Sequence, residues 1–248
     1  MKKVVAMIQA HMASTRLPGK IMLPLGDKAV LYHVYKRCKM ATVVDEVVVL
    51  TSTNPENDKI EEFCKDENIP CFRGEEEDVL DRYYQCAKVY QPDIIVRVTS
   101  DCPLIEPKLI DYWVTNMIRD DVEYFKEEDR LYKGFGLDIF TMEALEKLKQ
   151  NATTKKQKEH VVGYYYDHPD EFYAKGYPLP KELEYAYSNH RLTLDTPKDY
   201  ELIKLLYDLF YTKNDIVDLK KVMEYLDNHP EITAINQDVK QKDYFKQQ

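Results

Sequence analysis

The chain of 248 residues has only 7 glycines, and they never fall into the patterns that would identify a nucleotide site at once. No GxxxxGK[ST] appears, so a P-loop is excluded. No GxGxxG follows a strand, so a dinucleotide fold has no fingerprint. The five cysteines (Cys38, Cys64, Cys71, Cys86 and Cys102) are odd in number and form no CxxC pair. That argues against a zinc site and against a disulfide framework, and for reduced, mostly buried thiols in a cytosolic protein. Positive charge is in deficit: the formal net charge is −9. A nucleic-acid binder needs excess Lys and Arg, so that class is excluded, while a local basic pocket for a small anion is not. No segment approaches the ~20 apolar residues of a membrane span. The opening MKKVVAMIQ is too short in its apolar run for the core of a secretion signal. The expected setting is cytoplasmic, with no membrane partner.

What is present is a core and a rhythm. The chain is 44% hydrophobic, enough for one substantial α/β domain spanning 1–248. Residues 4–9, 46–52, 69–74 and 93–101 are apolar runs rich in β-branched residues and predict buried strands. Between them, apolar residues recur at helical spacing. Leu31, Val34 and Cys38 mark a helix over 29–40. Asn54 and Pro55 open a second, Val79 to Tyr90 line a third, and 107–118 form a fourth. Such alternation predicts crossovers and a largely parallel sheet flanked by helices. Ligands then bind beyond the carboxyl ends of the strands, which directs attention to the loops 9–20, 73–82 and 99–104. The second half is less regular. Strands are expected at 134–140, 172–178 and 190–195, and helices at 155–166, 197–212 and 216–228, with Thr196 capping the helix that Pro197 begins. An inserted arm within 120–190 is the simplest account of this part. Its tyrosines from 164 to 187 suit an interface belt, so a homodimer is expected.

Three stretches carry chemistry. In QAHMASTRLPGK (9–20), Ala13, Ser14 and Thr15 are small enough for backbone N–H groups to approach a phosphate. Arg16 can fork across two phosphate oxygens, and Lys20 can act as a point charge. The plain alternative is a solvated basic loop. In VTSDCPLI and LTLDTP, Asp101 and Asp195 each end an apolar strand. Two carboxylates beside a phosphate loop suit Mg²⁺ held by protein oxygens and substrate phosphates. Asp195 alone could instead cap the helix at Pro197. In FRGEEEDVLDRYYQCA, Arg73 or Arg82 could face a base or phosphates, whereas Asp78 and Arg82 at i,i+4 could be a surface ion pair.

Taken together with IVRVTSDCPLI, KEHVVGYYYDHPDEF and RLTLDTPKDYELI, these blocks resemble the SpsF-like branch of the cytidylyltransferases, relatives of the CMP-acylneuraminate and CMP-Kdo synthetases. The resemblance runs from the first strand to about residue 205. It implies a GT-A-like, Rossmann-like nucleotidyltransferase fold with a dimerisation arm. It also implies transfer of CMP from CTP to an acidic sugar or related acidic acceptor, with Mg²⁺ and release of pyrophosphate. It makes Arg16 and Lys20 the triphosphate loop, and Asp101 and Asp195 the metal carboxylates. Ala10, Ser14, Thr99 and Ser100 would lie along the nucleotide, with Arg73, Asp78 and Arg82 from the RGxxxDVLxR stretch. Asp138, Glu159, His160 and Arg191 fall on the acceptor side. One block departs. The branch usually reads G-L-D-V-E-V-F where this chain has Gly134-Phe135-Gly136-Leu137-Asp138-Ile139-Phe140. In that register Gly136 takes the place of an acid and Asp138 that of the Glu. Shifting the register restores Gly136-Leu137-Asp138 but shortens the strand. Either way the acceptor side is altered, which leaves a phosphonate- or phosphate-bearing acceptor open. A glycosyltransferase of the same fold would carry D-x-D after a strand, and TSDCP is not one. A non-catalytic nucleotide-binding relative would have lost Arg16, Lys20, Asp101 or Asp195, and all four are present.

Overall fold

A computed structural model describes residues 1–127 and 130–240. Its centre is β1 (Val4–Gln9), an apolar strand buried on both faces. A small antiparallel pair, β2 (Pro24–Leu25) and β3 (Lys28–Ala29), leads into helix α1 (Val30–Met40). The alternation then runs as expected: β4 (Glu46–Ser52), α2 (Asp58–Asp66), β5 (Cys71–Gly74), α3 (Val79–Tyr90), β6 (Ile94–Thr99) and α4 (Pro107–Asp120). Beyond these come β7 (Tyr124–Phe125), β8 (Leu137–Thr141), α5 (Met142–Asn151), α6 (Lys155–Glu159), α7 (Gly163–Asp167) and β9 (Ala174–Lys175). Helices α8 (Pro197–Phe210) and α9 (Leu219–Asn228) follow.

Seven strands form one sheet in the order β5-β4-β1-β6-β8-β7-β9. β5, β4, β1 and β6 are mutually parallel, and β8 is antiparallel to both β6 and β7. β1 pairs with β4 on one side and β6 on the other, so the chain reverses its direction of winding at β1. The loops after β1 and β6 diverge there and open a crevice, where ligands of open α/β sheets bind. Alternate residues of the strands feed two cores. Ala6, Ile8, Val47, Val49, Val96 and Val98 face α1, α2, α4, α8 and α9. Val5, Met7, Val48, Leu50, Ile95 and Phe140 face α3, α5 and α7.

The second half departs from expectation in instructive ways. Residues 134–140 become a strand only from Leu137, because Gly134 and Gly136 have φ of 130° and 54°. At Gly136 a Cβ would lie 2.3 Å from Cys102 Sγ and 2.8 Å from Thr99 Oγ1, so no acid fits there. The helix expected over 155–166 breaks at His160, and Val161 and Val162 are both buried in the break. Neighbouring helical residues point about 100° apart, so leaving helical geometry lets both valines reach the core. Only Ala174–Lys175 of the segment 172–178 pairs as strand, with β7. Among the described residues the segment 190–195 joins neither sheet; Arg191 makes an isolated parallel bridge with Lys133, and long-range hydrogen bonds clip the segment in place. Helix α5 was not anticipated, although Thr141 caps it and Ala144, Leu145 and Leu148 bury one face. Of the tyrosines from 164 to 187, Tyr164, Tyr165 and Tyr177 are buried within the chain, Tyr166, Tyr185 and Tyr187 are half-buried and Tyr173 is exposed, and Tyr165 stacks on Tyr124 at 3.7 Å.

Candidate active site

A cavity of about 670 Å³ opens at the carboxyl end of β1 and β6. The turn after β1 supplies His11, Ala13, Ser14, Thr15, Arg16 and Lys20 to its wall. This loop is tied inward. Ala10 N donates to Leu50 O (2.9 Å), Met12 N to Asn57 Oδ1 (2.8 Å), and Gly19 N to Met12 O (3.2 Å). Gly19 has φ 66°, in the left-handed region, and that turn aims Lys20 inward.

Lys20 is the centre of the site. Its ammonium donates to Asp101 Oδ2 at 2.6 Å and to Asp195 Oδ1 at 2.9 Å. One ammonium touches both carboxylates, so their nearest oxygens stand no farther apart than those two bonds laid end to end. The two aspartates are 94 positions apart in sequence (195 − 101). They meet because Leu194 N donates to Asp101 O (2.8 Å) and Leu192 N to Lys133 O (2.6 Å). These bonds, not strand pairing in the main sheet, hold 190–195 against the turn after β6. Asp195 also meets Arg16 at 3.2 Å and Arg191 at 2.9 Å. Burial works against the Lys20 ammonium, but Asp101 and Asp195 outweigh it and hold its pKa above the ordinary lysine value. Burial likewise opposes the Asp195 carboxylate, and Lys20 and Arg16 overcome it, so its pKa is lowered.

Asp195 does not cap the helix that follows. Thr196 does, with its Oγ1 accepting from Asp199 N, and Asp199 completes the capping box. Asp199 was not anticipated as part of the site. It is fully buried and accepts from Arg191 Nε (2.9 Å), Asn236 Nδ2 (2.9 Å), Asp195 N (3.1 Å) and Thr196 N (2.9 Å). Arg191 therefore does not line the cavity; it is clamped between Asp199 and Asp195 behind it.

The far wall carries the other side chains expected on the acceptor side. Asp138 sits opposite Arg97 in the β6–β8 pair, and Arg97 Nη1 bonds Asp138 Oδ2 at 2.5 Å. Tyr124 OH donates to Asp138 Oδ1 at 2.7 Å. Burial opposes the Arg97 charge, but Asp138 raises its pKa above the usual arginine value. Glu159 and His160 reach the cavity because α6 ends there, and Tyr166 and Lys133 join them. Thr99 lines the floor, with Oγ1 3.3 Å from Cys102 Sγ. His11, Arg97, Lys133 and Tyr166 were not singled out from sequence. His11 stood inside the first quoted loop, and desolvation of its ring at the cavity wall, followed by the Lys20 charge, lowers its pKa.

Several expected nucleotide contacts lie elsewhere. Ala10 and Ser100 are buried behind the wall, with Ser100 N donating to Gln9 O (3.1 Å). Arg73 is held by Asp58 and Glu61, both at 2.7 Å, on the outer side of β5. Asp78 caps α3 through Asp81 N (2.8 Å) and pairs with Lys149. Arg82 bonds the carbonyls of Glu75 (2.9 Å) and Glu76 (3.0 Å). Asp78 and Arg82 thus make no ion pair, and none of the three side chains lines the cavity. Among the described residues no cluster of three or more His, Cys, Asp or Glu gathers as a metal site, and no helix is long and apolar enough to cross a membrane. All five cysteines are free.

A mostly parallel sheet with its crevice at β1, and cations facing carboxylates across that crevice, define a nucleotidyltransferase of the GT-A-like α/β class. Comparison with known proteins narrows this. A cytidylyltransferase family model matches residues 5–247. The spore coat polysaccharide biosynthesis protein SpsF of Bacillus subtilis is 30% identical over 93% of this chain and 97% of its own. The solved structure of a cytidylyltransferase from Leptospira borgpetersenii is 36% identical, covers 97% of this chain and all of its own, and superposes with a TM-score of 0.87. A 3-deoxy-manno-octulosonate cytidylyltransferase of Geobacter metallireducens is 35% identical over 48% of this chain and 46% of its own. The chain belongs to the cytidylyltransferase family and is a CTP-dependent nucleotidyltransferase.

Proposed function

We propose that this enzyme transfers the cytidylyl group of CTP to an acidic sugar or related acidic acceptor. The observation that carries this is the convergence of Lys20, Arg16, Asp101 and Asp195 at the mouth of one cavity whose opposite wall carries Arg97, Lys133, Glu159 and His160. An acceptor oxygen attacks the α-phosphorus of CTP. The bond from that phosphorus to the bridging oxygen breaks, and pyrophosphate leaves with the electron pair. Negative charge grows on the leaving side. Arg16 and Lys20 meet it with fixed positive charge in a half-buried site, where such charge acts most strongly. Thr99 and the backbone of 13–15 flank the nucleotide. Lys133 supplies cationic surface for an acidic acceptor, and Arg97, paired with Asp138, lines the same cavity.

Two carboxylates and an open, polar cavity suit a hard divalent cation such as Mg²⁺, which takes oxygen ligands and keeps several waters. Asp101 and Asp195 would hold it. Bound there with the phosphates, such an ion would supply positive charge against the transferring and leaving phosphoryl groups. The 3-deoxy-manno-octulosonate cytidylyltransferase relative supports a sugar acid as acceptor, and the SpsF relative supports a place in polysaccharide biosynthesis. We also propose a homodimer, on the family resemblance and the tyrosine-rich stretch, and a cytoplasmic setting, on the odd number of unpaired cysteines. The experiment is pyrophosphate release from CTP, UTP, ATP and GTP with Mg²⁺, against a panel of acidic sugars and phosphonates. CTP with a sugar acid is expected to turn over. Turnover only with a phosphonate, or preference for another nucleotide, overturns the reading.

A further inference from the structure

The RGEEEDVLDR stretch has no side chain in the cavity, yet its hydrogen bonds lead directly to the phosphate loop. Arg82, buried on α3, holds the Glu75 and Glu76 carbonyls. That fixes the Glu76 side chain, whose Oε2 accepts from Ser52 Oγ at the end of β4 and lies 3.5 Å from Asn57 Nδ2. Asn57 Nδ2 donates to Ser52 Oγ at 2.8 Å, and Asn57 Oδ1 accepts from Met12 N at 2.8 Å. The Met12 carbonyl in turn accepts from Gly19 N at 3.2 Å, and the next residue is Lys20. Asn57 is fully buried and sits at the middle of this relay.

We propose that Asn57, with Ser52, Glu76 and Arg82, is a brace that sets the conformation of the triphosphate loop, and that Asn57 is a positioning residue for CTP. A primary amide suits the task because it accepts on one side and donates on the other. Its acceptor meets a loop N–H and its donor meets a hydroxyl and a carboxylate. The Met12 peptide is thereby held on both its N–H and its C=O, which fixes where Gly19 turns and where Lys20 enters the site. Without the amide, the part-buried Met12 N–H loses its partner, and the loop must shift to find another.

The inference rests on the proposal that Arg16 and Lys20 bind the triphosphate, and the test separates the two. Calorimetric binding of CTP and of CMP, with Mg²⁺ present, is compared in the wild type, Asn57→Ala, Ser52→Ala, Glu76→Gln and Lys20→Met. CMP lacks the β- and γ-phosphates the loop would hold. Asn57→Ala is expected to weaken CTP about tenfold, on the scale of one buried hydrogen bond, and to leave CMP within about twofold. Ser52→Ala should follow in the same direction by about threefold, and Glu76→Gln, which keeps an acceptor oxygen, should stay within about twofold for both ligands. Equal losses for CTP and CMP would mean general disruption and overturn the brace. So would unchanged CTP affinity in Asn57→Ala when Lys20→Met binds CTP poorly. If Lys20→Met binds CTP as the wild type does, the triphosphate assignment itself fails, and the brace with it. Should Asn57→Ala not fold, the CTP-to-CMP contrast in Ser52→Ala decides the same question.

Discussion

Asp199 offers the sharpest test of how the site is held. It is a fully buried carboxylate facing a buried arginine, and Arg191 in turn faces Asp195 at the cavity. Replacing Asp199 with Ala removes both Arg191 contacts (2.9 and 3.3 Å), the Asn236 bond, and the acceptor for Asp195 N, Thr196 N and Thr196 Oγ1. Among the described residues, Arg191 would then face Asp195 as its remaining carboxylate. Breaking a buried ion pair from one side costs about 3–5 kcal/mol, because the remaining charge is left without compensation. For a chain of this length each kcal/mol is worth roughly 2–4 °C, so the melting temperature should fall by roughly 6–20 °C. The double variant Asp199→Leu/Arg191→Met has no stranded charge and should regain a large part of that loss. Denaturant melts of the two variants give both numbers. A loss below about 1 kcal/mol for Asp199→Ala, or no recovery in the double variant, would refute the clamp. Activity adds a second reading. The double variant should remain slow even when it is stable, since Asp195 has then lost the residues that orient it.

Lys20→Met and Arg16→Ala should each lower pyrophosphate release by about 10²–10³-fold, the scale for removing one fixed transition-state charge. Lys20→Met should also cost stability, because Lys20 is nearly buried and its loss sets Asp101 against Asp195, whereas Arg16→Ala should barely move the melting temperature. Asp195→Asn should raise the Mg²⁺ concentration needed for half-maximal turnover as well as lower turnover; unchanged metal dependence would argue against a shared ion. Burial depresses the pKa of His33 from 6.5 to about 4, and its Nε2 contacts Leu25 O at 2.8 Å. Because the unfolded chain binds that proton first, stability should be full above pH 6.5 and fall by about 3 kcal/mol as pH drops to about 4, then level off. A urea titration against pH should show this slope, and His33→Phe should flatten it. Light scattering at micromolar concentration should give a dimer mass; a monomer would remove the inference drawn from the family.

The strands and helices of the first half were determined by the sequence itself. Their signals are local: Val4–Ile8 and Glu46–Ser52 are continuous apolar runs, and Leu31, Val34 and Cys38 repeat at helical spacing. The two ends of a crossover are close in sequence, so these runs also define the loops at the carboxyl edge, including the one that carries Arg16 and Lys20. The Thr196–Pro197 start of α8 was equally legible, since a cap and a first-turn proline act within four residues. Only the tertiary structure decided which side chains share the site. Asp195 reaches Asp101 through hydrogen bonds between distant backbone segments, and no periodicity in 190–195 announces them. Arg73 and Arg82 look like phosphate ligands by type, but the partners that claim them are carboxylates on α2 and backbone carbonyls before α3. Asp199, in the first turn of α8, and Asn57, just before α2, are polar residues at helix starts, where a capping or solvent-facing role is the ordinary expectation. Their importance comes from complete burial against groups far along the chain, a property that exists only once the sheet has brought those segments together.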